Sequence, residues 1–210
     1  MNIVDKRGKL ASINRNNNSV LELGCGNLKR LPDSIGIDSL DYDCVDIVGD
    51  VYDILSKIPD NSIQAIYSCH FVEHVVDFST LIGEIARVLT VGGKLEIVAP
   101  HFSNPYYYSD HTHKNYFGLY TFSYFSKDLV LRRKVPNYQR EPEFILEKVS
   151  LVFKSSPPFY IRHALKFIIG SFFNLNTYMK EFYEEFFCYI FPCYEIKYAL
   201  TKIDKNAHNR

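Results

Sequence analysis

Several features that would define other classes of protein are missing from this chain of 210 residues. It has no tryptophan, and it has no run of about 18 apolar residues that would predict a membrane-spanning helix. Its polar N-terminus lacks the apolar core of a signal peptide. Its five cysteines include no CxxC pair, which argues against a zinc site or a disulfide framework and favours reduced thiols in a cytoplasmic protein.

The chain also has no net charge, because 24 basic residues balance 24 acidic ones. No overall field therefore favours nucleic acid or an acidic membrane as a partner. The 47% of hydrophobic residues can form a sizeable core, which excludes a disordered chain. The even balance conceals two unlike halves: residues 1–100 carry five of the 32 Tyr and Phe residues and are acidic, whereas residues 101–210 carry 27 and are basic. We expect the halves to have different tasks.

Short apolar runs bounded by Gly, Asp or Pro predict buried parallel strands in the first half. These runs lie at 20–23, 34–37, 45–48, 63–67 and 94–99. Apolar residues at helical spacing predict a helix before the fifth run, ended by Gly92 and Gly93. Strands that alternate with crossovers indicate an α/β sheet with right-handed connections.

The second half predicts two more strands, at 144–153 and 195–203, on either side of a long insertion. The 40 residues 154–193 are far longer than a hairpin loop and are rich in Phe, Tyr and Ile, so we predict an inserted helical cap. The whole is expected to be one domain: a polar lead-in at 1–18, a cofactor half at 19–100, an acceptor loop and sixth strand at 101–153, the cap, and the last strand at 194–203.

The first strand runs into a glycine turn, Gly24-Cys25-Gly26, where backbone can approach a ligand closely. Ligands of open α/β sheets bind at this end of the strands. A dinucleotide site would need a third Gly where Lys29 stands, and Glu22 in the turn would repel a pyrophosphate but suit an ammonium. Acidic residues also follow the next two strands: Asp38 suits ribose hydroxyls and Asp50 suits an adenine amino group.

With these residues the sequence resembles class I S-adenosylmethionine-dependent methyltransferases of the type 11 kind. The matching segments are VLELGCG at 20–26, IGID at 35–38, GDV at 49–51, and the stretches 58–75 and 85–100. The resemblance implies a Rossmann-like seven-stranded sheet with helices on both faces and the aromatic-rich insertion between its last two strands. It implies S-adenosylmethionine as cofactor and S-adenosylhomocysteine as product.

The same resemblance assigns cofactor contacts residue by residue. Glu22, Gly24, Cys25 and Gly26 line the methionine end, Asp38 holds the ribose, Asp50 and Val51 hold the adenine, and Ser68 and His70 lie near the sulfonium. One departure is that only residues 27–34 separate the glycine turn from the second strand, which is short for a crossover. The first helix is therefore predicted to be a stub.

A loop dense in His and Tyr follows the fifth strand and carries the candidate catalytic groups. Small methyltransferases of polysaccharide-biosynthesis loci are similar here, with PHFS at 100–103 and D-x-T-H-K-x-x-F at 110–117. We predict His113 as general base, with Asp110 beside it and His101 as a second candidate that contacts the acceptor. A structural role for Asp110 and His113 stays open. So does a metal site made by these three residues, and no metal is assigned.

Several functional alternatives stay open at this stage. We expect O-methylation of a small molecule or glycan, with the acceptor free or lipid-linked; the rivals are a non-catalytic cofactor-binding scaffold and a methyltransferase of a protein or RNA. Nucleic acid is not expected as a partner, because no motif for a flipped base follows the fourth strand. The aromatic cap could pack on the sheet, cover the acceptor, contact the inner membrane face or form a homodimer.

Overall fold

The computed structural model describes residues 2–13, 18–136, 138 and 141–204 and places all of its strands in one sheet. In chain order the strands are β1 Val4–Asp5, β2 Ser19–Leu23, β3 Ile35–Asp38, β4 Ile47–Val48, β5 Ile63–Cys69, β6 Leu89–Pro100, β7 Ser126–Asp128, β8 Phe144–Val152 and β9 Glu195–Lys202. Their order across the sheet is β1-β4-β3-β2-β5-β6-β9-β8-β7. The seven strands from β4 to β8 form the predicted Rossmann-like sheet.

Two short edge strands bring the sheet to nine strands, not the predicted seven. β1 pairs antiparallel with β4, and β7 pairs parallel with β8. The sequence predicts neither strand, only a lead-in at 1–18 and an acceptor loop before the sixth strand, because strands of two and three residues are too short to show an alternating pattern. Residues 1 and 14–17 of that lead-in lie outside the described residues.

The centre of the sheet is parallel, from β4 through β3, β2 and β5 to β6, and β9 then runs antiparallel to both β6 and β8. Strand β3 and the C-terminal parts of β2 and β6 are continuous runs of buried residues, as expected for strands covered on both faces. The parallel arrangement sets the ends of β2, β3, β4, β5 and β6 along one edge, where the acidic and His-rich segments begin.

The helices are α1 Lys9–Ser12, α2 Val51–Leu55, α3 Phe78–Val88, α4 Tyr160–Phe173 and α5 Thr177–Phe186, with 3₁₀ turns at Tyr107–Ser109 and Thr121–Tyr124. The Asp50 side chain caps α2, and that of Asp77 caps α3. The prediction that Gly92 and Gly93 end the third helix was wrong. That helix ends at Val88, and the glycines lie within β6, where its pairing with β5 shifts register.

The connection from β2 to β3 contains no helix, whereas the short spacing predicted a stub. Two carboxylates hold it in place. Glu22 accepts hydrogen bonds from the backbone amides of Arg30 and Leu31, at 2.9 and 3.0 Å, and the Lys29 ammonium forms an ion pair with buried Asp46. Electrostatic contacts to the sheet thus replace the packing of a first crossover helix.

The inserted cap consists of α4 and α5 and packs on β8 through aromatic rings. Phe153, Phe173 and Tyr183 form its buried centre, with ring centroids 4.9 to 6.3 Å apart. Gly170 lets α4 approach Phe153, because a Cβ at this position would lie 2.9 Å from that ring. Within the described residues, neither these helices nor the others have the length and apolarity to cross a membrane.

Candidate functional site

A pocket of about 200 Å³ lies at the carboxyl ends of β3 and β4. Its lining combines carboxylates, backbone and rings: Ile37, Asp38, Ser39, Gly49, Asp50, Val51, Tyr52, Phe71, His74, Val75 and Val76. Three predicted cofactor residues, Asp38, Asp50 and Val51, therefore share one cavity. Polar groups beside apolar walls suit a nucleoside, whose hydroxyls need acceptors and whose base needs a flat apolar surface.

Asp38 links the glycine turn to this pocket. Its Oδ2 accepts from the Gly26 amide at 2.8 Å, and its Oδ1 accepts from the Leu40 amide at 2.9 Å. An ionised carboxylate can accept about four hydrogen bonds, so each oxygen keeps a site for a ligand hydroxyl. Asp50 is engaged as the cap of α2, where it accepts from the Tyr52 amide at 2.9 Å, and it too keeps acceptor capacity.

The glycine turn is arranged differently from the prediction. Glu22 is 2% exposed, and each of its oxygens accepts a hydrogen bond from the 27–34 segment, so its carboxylate holds that segment and is not among the residues that line the pocket. Gly24 has a φ of +67°, and the Phe71 side chain lies directly over it. The Cys25 thiol is buried, and burial raises its pKa to about 12, which keeps it protonated.

Ser68 and His70 lie at the end of β5. The Ser68 hydroxyl is fully buried and has no hydrogen-bond partner among the residues that the structure describes, so it can accept or donate one bond to a ligand. His70 has a φ of +53°, and its ring lies between two carboxylates, 2.8 Å from Glu195 and 3.3 Å from Glu73. Hydrogen bonds to Glu195 and Glu73 raise the pKa of His70 to about 9. It is therefore cationic at neutral pH and holds no lone pair for a base.

The predicted catalytic loop folds back over the segment that follows β5. The backbone amides of Lys114 and Asn115 donate to the Glu73 carbonyl at 2.7 and 3.2 Å, and the Asn115 side chain donates to Val75 at 2.8 Å. These bonds bring His113 against His74, with ring centroids 4.8 Å apart. Because His74 also lines the pocket, the catalytic candidate and the pocket share a wall.

Of the two ring nitrogens of His113, one is hydrogen-bonded to the backbone and the other is available to a ligand. Its Nδ1 lies 2.8 Å from the Tyr107 carbonyl oxygen, which only accepts, so Nδ1 carries the hydrogen and Nε2 holds the lone pair. Asp110 lies on the Nε2 side at 3.6 Å, within ion-pair range but beyond a hydrogen bond. The structure thus brings Asp110 and His113 together, but the Tyr107 carbonyl, and not Asp110, orients the imidazole.

His74 is a pocket residue to which the sequence analysis assigned no role. Its Nδ1 contacts the Thr112 hydroxyl at 2.8 Å, and that hydroxyl donates to Asp110 at 2.6 Å, so His74 joins the pocket to the loop. Glu73, His74 and His113 each offer a ligand atom within 4.8 Å of the others, a spacing that could hold a metal ion. The Glu-His pair after β5 was the available signal, but only the loop's return gives it partners.

His101 lies elsewhere. Its side chain is 0% exposed. The Ser103 amide donates to its Nδ1 at 3.1 Å, and its Nε2 faces the Glu184 carboxylate of α5 at 3.2 Å. Both nitrogens are thereby occupied, with Nε2 as the donor, so no lone pair is left for proton transfer. The structure does not bring His101 to Asp110 and His113, and its contacts instead tie the start of the loop to the cap.

Comparisons with known proteins agree with this architecture. Residues 32–97 match the model of a methyltransferase domain family. No curated protein matches the chain. Among solved structures, a SAM-dependent methyltransferase from Archaeoglobus fulgidus is similar, with 16% identity, a TM-score of 0.57, and coverage of 92% of this chain and 90% of the other.

Two further structures show the same fold. A putative methyltransferase of Haloferax volcanii, in complex with the Trm112 methyltransferase activator, has 15% identity, a TM-score of 0.51, and coverage of 95% of this chain and 89% of the other. Phosphoethanolamine N-methyltransferase 2 of Haemonchus contortus, in complex with S-adenosyl-L-methionine, has 14% identity and a TM-score of 0.51. The match covers 94% of this chain and 53% of the other. The match to a methyltransferase domain family covers residues 32–97, and the chain as a whole has the fold of S-adenosylmethionine-dependent methyltransferases.

Proposed function

We propose that the chain transfers the methyl group of S-adenosylmethionine to a hydroxyl of a small-molecule or glycan acceptor, as one methyltransferase domain with residues 154–193 as its cap. The observation that carries this proposal is that one residue, His74, contacts both the pocket and the candidate base. It lines the nucleoside-sized pocket and packs on His113, whose Nε2 lone pair is free. A cofactor site and a proton acceptor are thereby adjacent, which an in-line transfer requires.

The residues of the pocket fit the cofactor. Asp38 would accept from the ribose hydroxyls, Asp50 and Val51 would contact the adenine, and the unpaired Ser68 hydroxyl and the backbone of Gly24, Cys25 and Gly26 would face the methionine end. Glu22 would support that end indirectly, through the segment that it anchors. When bound, S-adenosylmethionine supplies an electrophilic methyl group on its sulfonium.

Cofactor binding is tested by calorimetry on two matched variants. Asp38→Asn removes the charge that strengthens bonds to ribose hydroxyls, and we expect its Kd for S-adenosylmethionine to rise about tenfold, since a hydrogen bond to a charged group contributes about 1.5 kcal/mol or more. Asp33→Asn, an exposed acidic residue in the same region, should bind like the wild type. Equal affinities of the two variants would remove Asp38 from the site, and no binding by the wild type would refute the cofactor assignment.

Removal of the acceptor proton is assigned to His113. Its Nε2 would accept the proton of the acceptor hydroxyl as the new carbon–oxygen bond forms and the carbon–sulfur bond breaks, with S-adenosylhomocysteine as the other product. Asp110, 3.6 Å from that nitrogen, would stabilise the imidazolium formed. The Tyr107 carbonyl would keep the ring in the required tautomer. His70, which Glu73 and Glu195 keep cationic, would lie near the sulfonium end of the cofactor.

The base assignment predicts a specific kinetic defect. His113→Ala should lower kcat by about 10²- to 10⁴-fold while leaving the affinity for S-adenosylmethionine unchanged, because general-base catalysis contributes that range and His113 does not line the pocket. His111→Ala, an exposed imidazole two residues away, is the control and should keep full activity. Full activity of His113→Ala would exclude the assignment, and so would an equal loss in both variants.

Treatment with a chelator distinguishes two roles for the His113 side chain, general base and metal ligand. If His113 is the base, the rate should be unaffected by prolonged treatment with EDTA. Loss of activity that is restored by a divalent cation would instead make Glu73, His74 and His113 a metal site, since their spacing permits one.

The acceptor class is inferred from composition and exposure. Exposed aromatic rings of the second half, such as Tyr106, Tyr108 and Tyr116, can stack on sugar rings. The cysteines, all five free, suit the cytoplasm. Structures with this fold include a phosphoethanolamine N-methyltransferase and a geranyl diphosphate C-methyltransferase, so the fold does not set the acceptor atom. Transfer of labelled methyl to a panel of nucleotide-sugars, oligosaccharides and lipid-linked glycans is the direct test, and labelling of none of them would refute the glycan proposal.

A further inference from the structure

Helix α4 carries an unusually large apolar surface that the rest of the structure does not cover. Residues 156–165 are all exposed, and only the second half of the helix contacts the sheet, through Gly170 and Phe173. Six large side chains of α4 lie in solvent: Tyr160, Ile161, Leu165, Phe167, Ile168 and Phe172. Ile161 is 80% exposed and Ile168 is 66% exposed. Such a concentration on one helix indicates a binding surface.

The six side chains form one broad face. At 3.6 residues per turn, they cover about half of the circumference of the helix, and the half-buried position 169 and the buried positions 170 and 173 lie on the other half. His163 lies near one border of this face, and Arg162 lies on the other half of the helix, in its exposed first turn. A broad apolar face on a helix that also carries cations is typical of a helix that lies in the plane of a membrane interface.

The charge around this helix has one sign. Residues 154–180 contain Lys154, Arg162, Lys166 and Lys180 but no Asp or Glu. Arg162 lies over the Phe159 ring at 4.1 Å, and among the described residues it forms no ion pair. Arg162 near an anionic bilayer would contribute favourably to binding, whereas a second copy of residues 154–180 would offer it no acidic partner.

We propose that α4 docks the protein on an anionic lipid bilayer, with its apolar face in the interface between headgroups and acyl chains. The segment that precedes the N-terminus of α4 adjoins the functional site. Lys154, six residues before α4, donates to the Glu195 carboxylate that also contacts His70. The docked helix therefore holds the site close to the lipid surface, where a lipid-linked acceptor would be presented. Docking goes beyond the proposed reaction and is measured without turnover.

Flotation of the full chain with vesicles tests this proposal. We expect the wild type to float with vesicles of equimolar phosphatidylglycerol and phosphatidylcholine, and to float less with phosphatidylcholine alone. The triple variant Ile161→Ser, Phe167→Ser, Ile168→Ser should partition at least about tenfold more weakly, because three exposed apolar groups are lost from the face. A control with Val4→Ser and Val91→Ser, which removes exposed apolar groups elsewhere, should float like the wild type.

Because the chain has no tryptophan, one introduced residue reports its own surroundings. Leu165→Trp should show emission at shorter wavelength when anionic vesicles are added, and Val91→Trp should not. Arg162→Glu should weaken binding to anionic vesicles more than Arg162→Lys does. Absence of flotation by the wild type, or unchanged flotation of the triple variant, would overturn the proposal. A wild-type dimer that the triple variant converts to a monomer, without vesicle binding, would overturn it in favour of a second copy.

Discussion

Gly24 and Gly26 both have positive φ, +67° and +59°, but they differ in what surrounds them. A Cβ at Gly24 would lie 2.4 Å from the Cβ of Phe71, an atom that the backbone fixes and that no rotamer change can move away. A Cβ at Gly26 would meet nothing within 4 Å. Only the first glycine is therefore required both by backbone conformation and by space.

This difference predicts unequal effects of the same substitution. Gly26→Ala should lower the free energy of unfolding by about 1 kcal/mol, the cost of a left-handed non-glycine residue. Gly24→Ala should lower it by about 3 kcal/mol, because overpacking against Phe71 is added. Urea unfolding of both variants measures the two values. Equal losses would show that Phe71 yields, and that it does not close over the turn.

At the level of elements, the β2–β3 connection depends on buried charge where related sheets use helix packing. Asp46 is 1% exposed, and it accepts from Lys29, from the Arg7 guanidinium at 2.8 Å and from the Gly36 amide at 2.8 Å. It thereby joins the N-terminal segment, the connection and β3. Burial by itself raises the pKa of Asp46, but the hydrogen bonds from Lys29 and Gly36 outweigh it and lower the pKa below the usual 3.8.

Asp46→Asn should therefore destabilise the protein, and in a pH-dependent way. At pH 7 we expect a loss of about 3 kcal/mol, because the Lys29 ammonium is left buried without its counter-charge. A lowered carboxyl pKa contributes stability above the unfolded value of 3.8 and loses it as the pH falls through the folded value. The difference from wild type should thus shrink below pH 3.8.

Urea unfolding at pH 7, 5 and 3.5 would follow this dependence. Asp41→Asn, which breaks an exposed pair with Lys6, is the matched control and should cost about 0.5 kcal/mol or less. A constant difference between wild type and Asp46→Asn at all three pH values would contradict the ion-pair interpretation.

At the scale of the whole molecule, one carboxylate ties the cap to the loop beneath it. Glu184 of α5 accepts from the Leu119 amide at 2.7 Å and faces the His101 Nε2 at 3.2 Å. The Tyr183 hydroxyl beside it donates to the Phe191 carbonyl at 2.8 Å. The Glu184 carboxylate thus fastens the cap to the loop, and the Tyr183 bond closes the cap on itself, in addition to the aromatic packing.

Glu184→Ala leaves the buried His101 ring and the Leu119 amide without their acceptor, so it should cost about 2 kcal/mol of stability. It should also increase protease cleavage within 154–193 before the sheet unfolds, since the cap loses its polar attachment. Glu185→Ala, on the exposed side of α5, should change neither measurement. Identical thermal unfolding and proteolysis of the two variants would show that aromatic packing alone holds the cap.

Much of the architecture could be predicted from the sequence, because its signals are local. The runs at 20–23 and 63–67 became β2 and β5, the 154–193 insertion became α4 and α5, and the acidic residues Asp38 and Asp50 came to share one pocket. Buried parallel strands require apolar runs, and their ends coincide at one edge of the sheet whatever the details of packing. The edge strands β1 and β7 are too short to leave such a pattern.

The use of each functional side chain was decided only by the tertiary structure, because it depends on partners that are remote in the chain. Glu22 and His101 were candidate site residues by their chemistry and position in the sequence. In the fold, hydrogen bonds to the 27–34 segment engage Glu22, and the Glu184 carboxylate engages His101. For His74 the Glu-His pair after β5 was the only local signal, and the return of the 110–115 loop places it between the pocket and His113. Sequence determines which groups stand at a strand end, and folding determines which lone pairs remain free there.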